Sequence, residues 1–376
     1  MPTTRTTTPR LSSRALNRAA LARQHLLERS DAAVRDTVAH LGGLQAQEPQ
    51  EPFAALWSRL RGFDPAELSD LLTARRVVRI HLMRGTVHLM TAADALAWRP
   101  RHQAMLRQRM LGVARRELAG IDLDALAAAA RAELAGGATR TTGEIGRALA
   151  HRWPGPDPRT LGQTAVALVP MVQVPPRGLW RGTGPARYAL LPTWLGREHV
   201  VAHASGDADG ADSVGRALVR RYLAAFGPAA TADLRAWCGL AGLPAAVAAV
   251  RDELVAFRDD RGRELLDLPD APRPDPDTPA PVRYLPAFDN AILGYDDRSR
   301  IIDTRHRWLS VAGKRAVLVD GRVAATWTVD AGTVTVTPLR RFTRAERGAV
   351  AEEGRELVGF LSGGKRRRVR VSASPR

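Results

Sequence analysis

The sequence has few of the residues on which disulfide, zinc and Schiff-base chemistry depend. Among its 376 residues, Cys238 is the one cysteine, and Lys314 and Lys365 are the two lysines. A single cysteine excludes an internal disulfide framework and a cysteine-based zinc site. Cys238 follows Trp237 in an apolar stretch, which predicts a buried, inert thiol rather than a nucleophile.

Long apolar segments are also missing. No run approaches the roughly 18 uninterrupted apolar residues of a membrane span. Residues 1–10 are polar and rich in threonine, with no apolar segment after a basic start, which argues against a secretion signal. We therefore expect a cytoplasmic protein without a membrane partner.

Positive charge is in excess, and almost all of it is arginine. The formal net charge is +17, from 56 Lys and Arg against 39 Asp and Glu. Such a surplus favours a polyanionic partner, because binding would release the counterions of the polyanion. The many Ala, Gly and Pro residues offer a second explanation, the coding bias of a GC-rich genome, and composition alone leaves both open.

One order of elements occurs three times along the chain. In residues 1–115, apolar spacing predicts helices over 15–27, 32–44 and 68–74, followed by strands 77–83 and 87–90 around Gly85. Three helices followed by a β-hairpin are typical of a winged-helix module.

The same order returns in 116–205 and 206–270. The predicted helices are 125–134, 141–151, 160–171, 213–226, 231–237 and 244–252, and the predicted hairpins end near 191 and 268. After a Pro- and Asp-rich linker (269–281), residues 271–376 predict a β-meander, a helix over 344–361 and a basic tail over 365–370. The sequence thus predicts an α+β fold of three tandem winged-helix modules plus a C-terminal β-rich region.

Several short motifs resemble one protein family. They are 41–47 (LGGLQAQ), 285–294 (LPAFDNAILG), 298–301 (RSRI) and 319–321 (VDG). In this order, and with tandem winged-helix modules, they resemble the AlkZ-like and YcaQ-like bacterial DNA glycosylases over nearly the whole chain. The resemblance implies a concave surface that binds double-stranded DNA.

The resemblance places the active centre at a Gln-x-Gln or Gln-x-Asp motif, which here is Gln45 and Gln47. The double-glutamine form resembles the branch associated with resistance to genotoxic natural products, and it lacks the carboxylate base of the other branch. A glutamine can hold a water and donate hydrogen bonds, but it cannot act as an ordinary general base.

Two amides suit a substrate whose leaving base is already cationic. An N7-alkylated purine needs no acid, so a positioned water and electrostatic support suffice. We therefore expect a monofunctional glycosylase for N7-alkylated purines, such as bulky adducts or interstrand crosslinks made by a genotoxic natural product. No lysine lies near the motif to form a Schiff base, and no metal or cofactor is expected.

A structural interpretation of the two glutamines remains open. They could belong to a solvent-exposed helix end before Glu48 and Pro49. Residues two apart do not share a helix face, so they would converge only where the helix ends or bends.

The DNA-binding candidates carry the same ambiguity. His81, Arg84, Thr86 and His88 lie on the first hairpin, near the expected lesion, or are ordinary polar strand positions. Asp289 and Asn290 either orient the active centre or form a turn. Basic and aromatic residues alternate over 303–308, which suits backbone contact and stacking unless Trp308 is core. The remaining candidates for DNA contact are Arg177, Arg181, Arg187, Arg298, Arg300, Arg305 and Arg307.

Other functions fit part of the pattern. Winged-helix proteins often bind DNA without catalysis, as transcription regulators do. A nuclease is disfavoured, because the sequence shows no carboxylate cluster for two metals. Three different modules in one chain favour a monomer that wraps one duplex in the nucleoid.

Overall fold

The computed structural model describes residues 8–196, 212–365 and 368–373. The helices are α1 (Ser13–Arg23), α2 (Val34–His40), α3 (Glu51–Trp57), α4 (Pro65–Thr73), α5 (Ala92–Trp98), α6 (Gln103–Ala114), α7 (Leu123–Glu133), α8 (Thr142–Ala150), α9 (Pro158–Leu168), α10 (Leu191–Trp194), α11 (Ser213–Phe226), α12 (Thr231–Cys238), α13 (Leu243–Ala248), α14 (Asn290–Leu293), α15 (Trp308–Val311) and α16 (Arg344–Ser362). The strands are β1 (Leu44–Gln45), β2 (Val77–His81), β3 (Val87–Thr91), β4 (Arg140–Thr141), β5 (Met171–Val174), β6 (Arg187–Leu190), β7 (Val255–Arg258), β8 (Glu264–Asp267), β9 (Arg283–Leu285), β10 (Arg315–Val319), β11 (Arg322–Asp330), β12 (Thr333–Pro338) and β13 (Arg368–Val371). The chain is therefore a mixed α and β protein, as the sequence predicts.

Local sequence signals account for most of the helix boundaries. Asp64 caps α4, and Thr141 and Glu144 form the predicted capping box at the start of α8. Helix α11 ends at Phe226, before Gly227 and a proline, as predicted. The bounds of the other predicted helices shift by a few residues, which is usual where the hydrophobic period alone sets them.

The prediction of one helix over 32–44 is wrong at its C-terminal end. Helix α2 stops at His40, and Gly42 and Gly43 then take positive φ angles of 65° and 94°. A Cβ at Gly42 would lie 2.7 Å from the Trp237 ring, and one at Gly43 would lie 2.1 Å from the Met90 sulfur. Only glycine fits this turn, which leads the chain into the edge strand β1.

The first two hairpins join into one sheet, which the sequence did not predict. The strand order is β1-β3-β2-β5-β6-β4, and the two hairpins meet through antiparallel pairing of β2 with β5. This pairing supplies hydrogen-bond partners for backbone N–H and C=O groups that would otherwise stay unpaired at the edge of each hairpin. The sheet therefore fixes the first hairpin against the second.

The third hairpin, β7–β8, pairs as predicted, and the C-terminal meander expands into a five-stranded sheet. Its order is β13-β12-β11-β10-β9, and α16 packs on it through Val350, Leu357 and Val358. The predicted basic tail is corrected in part, because Arg368–Val371 pairs in parallel with β12 as strand β13. Residues 366–367, and the predicted module boundary at 205/206, lie outside the described residues.

The largest core cluster joins α11–α13 to the first hairpin. Trp237, Tyr222 and Phe226 pack together there with Val78 and Ile80 of β2. Cys238 lies in this cluster, and burial raises the pKa of its thiol to about 11, which confirms the predicted inert thiol. None of the helices in the described residues is both long enough and apolar enough to cross a membrane.

Candidate active site

Neither glutamine of the Gln-x-Gln motif lies on a helix, because Gln45 belongs to strand β1 and Gln47 lies in the bend that follows it. Gln45 closes strand β1 and stands opposite His88 of β3, and the Ala46 amide continues the pairing by donating to the Val87 carbonyl. The expected helix end is thus corrected, because the chain passes from strand β1 into a bend and helix α3 begins only at Glu51.

Gln45 is almost buried, with 9% of its surface exposed, and its orientation is fixed by Arg84. The Arg84 Nη2 donates to the Gln45 Oε1 at 2.8 Å. Because a guanidinium has only donors, the amide oxygen must face Arg84 and the NH2 group must face away from it. Gln45 therefore directs its NH2 group away from Arg84.

Arg84 connects three separate parts of the chain. Besides Gln45, it donates to the Asn290 Oδ1 at 3.1 Å and to the Trp237 carbonyl. Asn290 in turn donates through Nδ2 to the Gly43 carbonyl at 3.2 Å, just before β1. This network (Gln45, Arg84, Asn290 and the Trp237 carbonyl) ties α12, α14 and the first hairpin together.

The charge of Arg84 persists in this partly enclosed position. The pKa of Arg84 is lowered to about 10, mainly by burial and in part by the nearby positive charge of Arg298. At neutral pH the guanidinium therefore remains protonated, and all of its hydrogen bonds are charge-assisted. Its backbone takes a φ of 54°, an uncommon conformation for a residue with a side chain.

Gln47 is exposed and lines an open groove of about 720 Å³. The Val87 backbone amide donates to the Gln47 Oε1 at 3.3 Å. An amide oxygen has two lone pairs, so a second acceptor position remains for a water molecule. Gln47 is thus the glutamine of the motif that is open to a ligand.

The other walls of this groove come from helices that the sequence did not link to the motif. Arg109 of α6, Arg147 of α8 and Arg159 of α9 are exposed along it. Three cations around one open groove suit a phosphate backbone. No local sequence signal marks these arginines, because they meet only through the packing of α6, α8 and α9.

A polar chain lies on the floor of the groove. The Gln173 Nε2 donates to the Tyr188 hydroxyl at 2.9 Å, and that hydroxyl lies 3.5 Å from the His81 Nε2. Burial lowers the pKa of His81 to about 4, so its imidazole is neutral at physiological pH. His81 therefore lines the groove as a neutral side chain, and its contact with DNA stays a prediction.

Four of the predicted DNA contacts are corrected by burial, and one of them is Asn290, which is only 3% exposed and is bonded to Arg84 and to the Gly43 carbonyl. His88 has no exposed surface, and its Nδ1 lies 3.1 Å from the Thr86 carbonyl, to which it donates. Asp289 forms a bidentate ion pair with Arg59, at 2.7 and 2.9 Å, and caps α14. Arg300 donates to the Pro228 carbonyl and stacks over the Tyr295 ring. Each of these side chains is enclosed by neighbouring elements that the sequence did not place against it.

Four further candidates are partly buried and already bonded within the protein. Thr86 donates to the Met83 carbonyl, and Arg177 donates to the Gly184 carbonyl. Arg187 binds the Thr139 carbonyl and Glu144, and Arg298 donates to the Ser310 hydroxyl. Their contact with DNA stays a prediction.

The remaining candidates are exposed. Arg181 donates to the Leu361 carbonyl at 2.7 Å but keeps an open face to solvent. Arg305, Arg307 and Trp308 stand out at the beginning of α15, so Trp308 is not part of the core. In 8–196, 212–365 and 368–373, no three His, Cys, Asp or Glu side chains group as metal ligands.

The fold and the site define a class of α and β protein that holds a glutamine pair at an edge strand beside an arginine-lined groove. The chain belongs to the AlkZ-like DNA glycosylase family, because the model of that family matches residues 38–360. The protein is thus a DNA glycosylase, an enzyme of DNA repair, and its substrate is DNA.

A solved structure has the same fold. It is the Streptomyces sahachiroi DNA glycosylase AlkZ, with a TM-score of 0.74 and 21% sequence identity. The match covers 96% of this chain and 100% of that chain. No curated protein matches the sequence significantly.

Proposed function

We propose that the protein is a monofunctional glycosylase that hydrolyses the N-glycosidic bond of cationic N7-alkylated purines. The observation that carries the proposal is the pair of anchored amides, Gln45 and Gln47, beside the arginine-lined groove. Neither amide can act as a general acid or a general base. The nucleobase must therefore be one that departs without being protonated by the enzyme. An N7-alkylated purine meets this condition because alkylation has already made it cationic.

The two glutamines have different roles in this proposal. Gln47 is exposed, and its second lone pair holds the attacking water in the groove. Gln45 presents its NH2 group as a hydrogen-bond donor to the substrate, with Arg84 and Asn290 as positioning residues behind it. A positioned water and prearranged dipoles are the main sources of rate enhancement for such a bond.

We further propose that the substrates are bulky adducts or interstrand crosslinks made by a genotoxic natural product. The groove supports this, because its volume of about 720 Å³ remains open to solvent on the side of Gln47. Enzymes for small lesions enclose the flipped base in a snug pocket. An open groove accepts a base whose substituent cannot be enclosed.

The proposal includes three winged-helix modules, in 1–115, 116–205 and 206–270, and a C-terminal region in 271–376. Support comes from the recurrence of helices before each hairpin, namely α2–α4 before β2–β3, α7–α9 before β5–β6, and α11–α13 before β7–β8. Together the modules would form a concave surface around one duplex. Such a chain would act as a monomer on nucleoid DNA in the cytoplasm.

The chemistry leaves an abasic site and an intact strand. Neither Lys314 nor Lys365 lines the groove, so a lysine Schiff base with the sugar is not available there. Borohydride should therefore trap no covalent adduct, and strand breaks should appear only after treatment with alkali.

The test uses end-labelled duplexes that each carry one N7-alkylguanine, either methylated, bulky or crosslinked. Wild-type protein should produce alkali-labile sites, and a Gln45→Ala/Gln47→Ala variant should not, although it still binds DNA. Gln108→Ala is the matched control, because Gln108 is an exposed glutamine on α6 outside the groove. Absence of abasic sites on all three substrates, with DNA binding retained, would refute the proposed substrate class.

A further inference from the structure

The short helix α15 exposes apolar side chains that proteins usually bury. Large hydrophobic side chains with high exposure are few among the described residues, namely Val113, Trp308 and Val311. Two of them lie three residues apart on α15, where Trp308 is 57% exposed and Val311 is 72% exposed. An exposed tryptophan beside an exposed valine marks a surface for contact with a partner.

This exposure is built into the fold. Leu309 and Ser310, on the opposite side of α15, are only 4% exposed. The Lys314 amide donates to the Leu309 carbonyl at 2.9 Å and closes the turn. Gly313 packs so tightly on the Phe288 ring that a Cβ there would lie 2.6 Å from it. The buried side of α15 and the Gly313 contact thus fix the turn to the protein, while Trp308 projects into solvent.

The charges around Trp308 favour a polyanion. Arg305, Arg307 and Lys314 are all exposed, and the Arg305 side chain has 70% of its surface in solvent. Asp303 lies 3.7 Å from Arg305 and also pairs with Arg322, so it offsets only part of this charge. Since the family acts on DNA, the duplex is the partner whose charge complements this surface.

Both ends of the turn connect to the network around Gln45. At one end the Ser310 hydroxyl accepts from the Arg298 Nη1 at 2.7 Å, and the Arg298 charge acts on Arg84. At the other end Phe288, which packs on Gly313, is two residues before Asn290, a partner of Arg84. The projecting tryptophan is therefore attached to the elements that hold the candidate active centre.

We propose that Trp308, supported by Val311, inserts into the base stack of the duplex next to the damaged nucleotide. Arg305 and Arg307 contact the flanking phosphates. Apolar side chains that enter a base step unstack it at a cost of a few kcal/mol, and an aromatic ring replaces part of the lost stacking. This inference rests on the proposed active centre, since it places the inserted ring beside the nucleotide on which Gln45 and Gln47 act.

The experiment measures binding to a duplex with a tetrahydrofuran abasic analogue, which no glycosylase can process, and to the same duplex without damage. Trp308→Ala should weaken binding to the analogue by about tenfold, the effect of one lost base–aromatic stack. Binding to undamaged DNA should change by less than about twofold, because phosphate contacts dominate it. Trp308→Phe should restore most of the affinity for the analogue.

The proposed phosphate contacts of Arg305 and Arg307 are tested separately, by the salt dependence of DNA binding. Arg305→Gln/Arg307→Gln should reduce the slope of log affinity against log salt by about 2, since each phosphate contact contributes about 0.9. Arg131→Gln is the matched control, because α7 contributes no side chain to the groove. Its slope should stay close to that of the wild type.

Equal affinity of wild type and Trp308→Ala for the analogue, with both proteins folded by circular dichroism, would overturn the inference. The outcome is independent of excision. If the wild type excises no N7-alkylguanine but loses affinity for the analogue on Trp308→Ala, the substrate proposal fails and the insertion stands. If it excises the base and Trp308→Ala changes nothing, only the insertion fails.

Discussion

Replacing Arg84 with methionine should separate positioning of Gln45 from binding of DNA. Methionine has a similar length and fills similar space, but it donates no hydrogen bond. The variant loses the bonds to the Gln45 Oε1, the Asn290 Oδ1 and the Trp237 carbonyl. Because hydrogen bonds from a charged donor contribute about 1.5–3 kcal/mol each and water can replace part of them, we expect a loss of about 2–4 kcal/mol of unfolding free energy.

The loss of activity follows from the freedom that Gln45 gains. Two amide orientations would become nearly equivalent, which costs about twofold in rate if only one is productive. Displacement of the amide by about 1 Å costs about 100-fold more. We therefore expect the single-turnover excision rate to fall by roughly 200-fold, equivalent to about 3.1 kcal/mol of transition-state stabilisation at about 1.36 kcal/mol per tenfold.

The assay is single-turnover excision of N7-methylguanine, with binding to the abasic analogue measured in parallel. Binding should change by less than about threefold, because Arg84 is turned inward and bonded within the protein. A double-mutant cycle with Gln45→Ala supplies the decisive comparison. If Arg84 acts through Gln45, the second substitution adds little to the first. Additive losses, or an unchanged rate in a folded Arg84→Met variant, would refute the reasoning.

Three further predictions concern stability and the roles of the two amides. Asp289→Ala leaves Arg59 buried without its partner and should cost about 3–5 kcal/mol in urea unfolding, whereas Arg59→Met/Asp289→Leu should recover much of this loss. Burial lowers the pKa of His102 to about 4, so the unfolded state binds more protons, and this residue alone should lower stability by roughly 3 kcal/mol as the pH falls from 6.5 to 4. Because burial also lowers the pKa values of His25 and His81 to about 4, His102→Leu should reduce the pH dependence by about this amount without abolishing it. Gln45→Glu should abolish excision, because the carboxylate pairs with Arg84 and has no hydrogen-bond donor. Gln47→Glu should retain activity, because the carboxylate still accepts a hydrogen bond from water. A loss of excision in Gln47→Glu with retention in Gln45→Glu would contradict the assigned roles.

Local signals in the sequence predicted many of the elements, but they missed helices α3, α5 and α6 and did not predict how the elements assemble. The capping box of Thr141 and Glu144 and the stop of α11 at Gly227 act within a few residues, so they could be predicted. The pairing of β2 with β5 joins positions such as Arg79 and Gln173, far apart in the chain, and no short-range pattern specifies it. The predicted hairpins were therefore confirmed, and their union in one sheet was not foreseen.

The candidate site, too, could be predicted from the sequence only in part. The resemblance pointed to Gln45 and Gln47, but only the structure shows that Gly42 and Gly43 turn the chain into a strand at Gln45, with Gln47 in the bend that follows. Strand alternation cannot tell which face another element will cover, and this is why His88 was predicted as a contact although it is fully buried. The groove arginines escaped prediction because three separate helices supply them.

A cation behind one of the two glutamines is unexpected for a reaction that passes through a cationic sugar. The orientation of the Gln45 amide indicates which substrate atoms this side chain can serve. Arg84 binds the oxygen of the amide, so the positive NH2 end of the amide dipole faces away from the guanidinium and does not suit a cationic centre. The NH2 group then suits an electron-rich acceptor on the substrate, such as an oxygen of the purine, sugar or phosphate. Gln47, whose oxygen is held by a neutral backbone amide, is the better partner for water beside the developing positive charge. We therefore infer that the motif needs two glutamines because they do opposite work, one as a fixed donor and the other as a fixed acceptor.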